Sequence, residues 1–155
     1  MRRHIDAETP PEPDLQAEEL HRILKVLLPI RKQRLSRSER LQRAEAAKLV
    51  ACDHALSAGE VKLTEHREHY STASELVDAQ HVGQTEALNQ LRKALNDEQS
   101  RRLAVLQQQH HLVQLDADRQ QQQQQNENAQ RDVTLRQREV EKVEYLLQQH
   151  QGNQS

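Results

Sequence analysis

Large apolar side chains return along this chain every seven residues. From Leu28 the frame reads Leu28, Leu35, Gln42, Leu49, Leu56, Leu63, Tyr70, Val77 and Gln84, then Leu91, Glu98, Val105, Leu112, Arg119, Asn126, Val133, Val140 and Leu147. Thirteen of these 18 positions are large and apolar. Such residues are 37 of 155, so chance alone supplies about four. A strict repeat of seven keeps one seam facing a partner helix only when the helices supercoil with a left hand. The pattern therefore predicts an all-α fold built as a coiled coil.

The second seam position is weaker. It runs Arg31, Ser38, Glu45, Cys52, Gly59, His66 and Ala73 in the first half. In the second half Ala94, Leu115, Ala129 and Val143 alternate with Arg101, Gln108, Gln122 and Arg136. Such a seam buries little area per turn. Ala44, Ala47, Ala51, Ala55 and Ala58 lie close to the Leu ridge in sequence and are expected to let another helix approach. Five acid-first i,i+4 pairs support the helices: Glu39–Arg43, Asp97–Arg101, Glu98–Arg102, Glu127–Arg131 and Asp132–Arg136.

Breakers set the boundaries. Pro10, Pro11 and Pro13 stop helix growth, so residues 1–14 read as a flexible acidic tail, with Asp14 as a cap for the first helix. The coiled coil is expected over 15–150, with 151–155 frayed. Gly83 near the midpoint predicts a turn, giving a long antiparallel hairpin with arms at about 20–82 and 84–148. Folding there makes the numbers of facing residues add to about 166, which places the polar Gln42 beside the polar stretch between Arg119 and Asn126. The stripe also keeps its phase across Gly83, which leaves open one continuous helix in a parallel dimeric scaffold. A second turn signal lies at Ser71–Glu75, where Thr72 and Glu75 have capping-box spacing.

Composition narrows the function. Aromatics are 1% of the chain, there are three glycines and four prolines, and 30% of residues are charged; with 21 Leu, 23 Gln and 15 Ala this suits long helices rather than a compact enzyme. No Gly-rich phosphate loop or acid–base pocket is legible, so no catalytic residue and no cofactor is expected. Nine histidines invite a metal reading, but none of the His or Cys spacings suits structural zinc, and His66–His69 within HREH is not the HExxH arrangement. Cys52 is the single cysteine. The longest apolar stretch, Ile23–Ile30, is eight residues and contains Lys25 and Pro29, far short of the roughly 20 a membrane span needs. With no apolar leader, the expectation is a cytoplasmic protein. The Gln120–Gln125 run reads as a polar helical surface with a loosened seam.

Charge is more telling locally than globally, where it nets −2. Between Arg22 and Arg43 stand eight bases (Arg22, Lys25, Arg31, Lys32, Arg34, Arg37, Arg40, Arg43) and one acid, Glu39; residues 5–19 before them hold six acids and no base. This is the pattern of a docking surface for an acidic partner. A basic stretch ahead of a leucine repeat also suggests a DNA-binding zipper. However, no Asn occurs before Asn89 to read adenine, and Pro29 interrupts the basic helix, so no specific nucleic acid is expected.

The stretch LHRILKVLLPIRKQRLSRSERLQRAEAAKLVACDHAL, running into Leu/Ala heptads, resembles the YscO/FliJ family of stalk proteins of type III secretion and flagellar export. The resemblance covers about residues 18–150, and its injectisome variant is the nearer one. It implies a two-helix antiparallel coiled coil whose open end enters the pore of the hexameric export ATPase. It further implies a link to the cytoplasmic domain of the export gate, binding of export chaperones, and peripheral association with the inner-membrane export machinery. Carried onto this chain, Arg31, Lys32, Arg34, Arg37, Arg40 and Arg43 become the partner-binding set. The acidic, Pro-containing start and Pro29 depart from the family pattern.

Overall fold

The computed structural model describes residues 15–79 and 85–154. They form two α-helices, α1 (Leu15–Ala79) and α2 (Thr85–Gln154), which pack antiparallel as an all-α hairpin. The chain folds back on itself and is not one continuous helix of a parallel pair. The break falls at 80–84; Gly83, like the tail and Asp14, lies outside the described residues. Contacts divide the helices into two units. A terminal unit joins α1 up to Arg43 with α2 from Asn128 onward, and a central unit comprises Ala44–Glu127.

The seven-residue frame is the seam. In both units every described frame position from Leu28 to Leu147 is at least half-covered. The second position, expected to be the weaker, is the more deeply buried. Leu24, Ser38, Gly59 and Ala73 on α1, and Ala94, Ala129 and Val143 on α2, are buried, while most of the leucine frame is partly exposed. The reason is size. Small side chains let the backbones approach, so their own Cβ atoms are covered, whereas leucines reach past the narrow seam and leave their tips in water. Among the described residues Val143 alone is almost fully enclosed, at 1% exposure. Gly59 shows how close the approach is: a Cβ there would meet Leu112 Cδ2 at 2.7 Å.

Several expectations need correction. Ala44, Ala47, Ala51, Ala55 and Ala58 are all exposed, because they fall on the side of α1 away from the seam. Ser71–Glu75 is not a turn: it is helical, and the Thr72 hydroxyl donates to the Glu68 carbonyl four residues back at 3.0 Å. α2 runs on to Gln154 through the stretch expected to fray. Pro29 does not interrupt α1. It removes one backbone hydrogen bond, but it sits on the exposed side of a 65-residue helix held by its seam, where water can solvate the freed carbonyl.

The register differs too. Facing pairs such as Ser38 with Asp132, and Arg31 with Glu139, have numbers adding to about 170 rather than 166. Helical side chains lean toward their own N-terminus, so contacting pairs on antiparallel helices sum about two higher than the backbones that face each other. The seam's interlocking side chains account for the rest. Of the five expected i,i+4 pairs, Asp97–Arg101 at 3.3 Å and Asp132–Arg136 at 3.7 Å close.

Candidate protein-docking surface

The six basic positions of the expected partner-binding set do not share one face. Arg31 belongs to the second seam frame, and its guanidinium donates to the Glu139 carbonyl at 3.1 Å. Lys32 reaches the Glu144 carboxylate at 3.8 Å. Both are engaged in joining α1 to α2 within the terminal unit.

Arg34 and Arg37 lie on one flank of α1. With Ser38, Leu41, Asp132 and Arg136 they line a shallow depression of about 240 Å³. Asp132 in that depression already accepts from Ser38 and pairs with Arg136, so its charge is largely committed. Arg40 and Arg43 are exposed, and at 100° per residue Arg40 lies 60° round the helix from Arg37 and Arg43 a further 60°, so the four sweep from that flank across the back of α1. No ion pair within the described residues holds Arg34, Arg37, Arg40 or Arg43. Four of the six cations are thus open to a partner, spread in 60° steps around the exposed side of one helix.

The same unit holds a feature missed in the sequence. His21 of α1 stacks on His150 of α2, ring centroids 4.2 Å apart and 24° between planes. The Nδ1 of His21 is buried without a hydrogen-bond partner. Burial, then the neighbouring His150 and Lys25, lower the pKa of His21 below its ordinary 6.5. Only the hairpin register, which sets residue 21 opposite residue 150, could have signalled it. The sequence showed Ile23–Ile30 as an apolar stretch but not its placement: Ile23, Val26 and Ile30 are exposed and Leu27 half-buried, at i, i+3, i+4, i+7 spacing outside both seam frames.

In the central unit the polar seam positions bond across the helices. Gln122 donates to the Glu45 carboxylate at 2.5 Å and to its carbonyl at 3.1 Å, the first of these being the main reason the Glu45 pKa falls below 4.5. Arg119 pairs with Asp53, which raises the arginine pKa further. Gln108 donates to the Gly59 carbonyl at 3.0 Å. These contacts tie the two helices together along the seam of the central unit.

Among the described residues no cluster of three or more His, Cys, Asp or Glu could hold a metal ion, and no helix is long and apolar enough to cross a membrane. Comparison with family models, with curated proteins and with solved structures returned no match.

Proposed function

We propose that this chain is a non-enzymatic stalk of a type III protein-export apparatus, seated by its basic end in a hexameric export ATPase and linking that ring to the export gate. The observation that supports this reading is the exposure of Arg34, Arg37, Arg40 and Arg43, none in an ion pair among the described residues, in the unit that contains the start of α1 and the end of α2. Cations swept around about half the circumference of a helix suit an acidic environment that surrounds the helix, such as the inner rim of a ring, better than a flat partner. These arginines are exposed, so at a rim that stays open to water their attraction acts mainly on association rate and weakens with salt. Binding of an export chaperone, association with the inner-membrane machinery and a cytoplasmic setting belong to the same proposal.

The test is stimulation of the purified export ATPase by the full chain. Reversing Arg34, Arg37 and Arg40 to Glu should leave the far-UV helix signal intact and abolish stimulation. Stimulation unchanged by the triple reversal would remove the docking assignment.

A further inference from the structure

Ile23, Val26, Leu27 and Ile30 occupy one face of α1 and belong to neither seam frame, whose nearest members are Leu24, Leu28 and Arg31. Ile23, Val26 and Ile30 are 54%, 65% and 43% exposed. With Leu27 and Arg22 they line an open, almost purely apolar depression of about 330 Å³. At 100° per residue the same face continues to Arg34, Arg37 and the half-exposed Leu41. Toward the chain start it meets one acid, Glu19. The strip is therefore apolar along its middle and mainly basic around it.

We infer that this strip seats an amphipathic helix of a partner protein, one with apolar residues at the same i, i+3, i+4, i+7 spacing and Asp or Glu on its flanks. Charge selects this occupant. Arg22, Arg34 and Arg37 border the strip and none is in an ion pair among the described residues, so each gains from a carboxylate laid alongside. A second copy is the wrong partner. Antiparallel strips would gather Arg34 and Arg37 of one copy with Arg22 and Glu19 of the other, three bases to one acid at each end, and parallel strips would set each arginine beside its own image. Residues 1–14 carry Asp6, Glu8, Glu12 and Asp14 but also Arg2 and Arg3, and Ile5 is their one branched aliphatic side chain where the strip calls for four apolar ones. The apolar side chains and Arg22 that carry the inference lie outside the six basic positions of the stalk reading, of which only Arg34 and Arg37 also border the strip, and the inference goes beyond that reading.

The test is fluorescence anisotropy of the full chain with a stapled helical peptide of about 16 residues, carrying Leu at the four spaced positions and Glu on both flanks. The expected result is micromolar binding, weakened at least about tenfold by Ile23→Ser/Val26→Ser, by Ile30→Ser alone, and by exchanging the peptide's Glu for Lys. Since the substituted residues are exposed, the helix signal and all six basic positions stay intact, so a failed ATPase assay and a failed peptide assay are separable. Equal affinity for the Glu and Lys peptides, or indifference to both variants, overturns the inference. So does a solution mass twice 18.0 kDa that the variants return to 18.0 kDa, which assigns the strip to a second copy. Peptide binding seen only after deletion of residues 1–14 assigns it to the tail. Anionic phosphatidylglycerol vesicles bound by the wild type and released by the variants, with the peptide ignored, assign it to a membrane surface.

Discussion

The Ser38 hydroxyl donates to the Asp132 carboxylate at 2.6 Å across the seam, tying α1 to α2 at the one buried polar side chain among the described residues. A hydroxyl and a carboxylate reach each other in this way at one register only, so the pair resists sliding of one helix along the other. Ser38→Ala removes the donor and leaves a half-covered carboxylate to be solvated. It should cost about 1–2 kcal/mol, read as a lower urea midpoint with unchanged slope. A loss below about 0.5 kcal/mol would mean that water replaces the hydroxyl without penalty.

Gly59 predicts a size limit in the central unit. Gly59→Ala gains about 1 kcal/mol of helix propensity but sets a Cβ 2.7 Å from Leu112 Cδ2, the movable tip of a long side chain. The two effects nearly offset, and stability should change by less than about 1 kcal/mol. Gly59→Leu cannot be absorbed. It drives the helices apart, separates Gln108 from the Gly59 carbonyl, and should lower stability by about 1–3 kcal/mol. Equal stability of the alanine and leucine variants would refute this packing.

Asn126 carries an amide oxygen buried in the seam without a hydrogen-bond partner. Replacing it with leucine restores the apolar frame and removes the unpaired group. Asn126→Leu should raise the thermal midpoint, by the equivalent of about 1–2 kcal/mol. A destabilised variant would show that the amide does more for the fold than its surroundings indicate.

The His21–His150 stack predicts sensitivity to mild acid. The pKa of His21 in the folded state lies below its ordinary 6.5, so the native state binds this proton less readily than the unfolded chain does. Its stabilising contribution is complete above about pH 6.5 and declines as the pH falls below that value. The groups facing it are His150 on α2 and Lys25 on α1, and both oppose a positive charge. Urea midpoints should drop between pH 7.5 and 5.5, and His21→Leu should flatten that slope. An identical slope in the variant would place the effect elsewhere. Glu45 acts lower on the scale: its depressed pKa protects stability that is lost only as pH falls below about 4.5.

Much of the candidate surface was legible as residue type but not as arrangement. The density of bases between Arg22 and Arg43 is plain in the sequence. That Arg31 and Lys32 are engaged with Glu139 and Glu144 depends on α2 lying alongside, more than 100 residues further along the chain. The Ile23–Ile30 run was visible as an apolar stretch, yet its role turns on which face of α1 the seam takes, and Leu24 and Leu28 rather than Ile23 and Val26 take it.

The sequence by itself determined that the protein is helical and that its helices meet along a seven-residue frame. Periodicity is a local property: any partner that covers the frame satisfies the same leucines. Tertiary structure decided the matters that periodicity leaves open. It placed the small second-position residues deepest, because backbones draw together where side chains are short. It set the register near 170 through interlocking contacts such as Ser38–Asp132. It also separated the basic residues into those that join the helices and those left facing outward, a division that exists only once the second helix is in place.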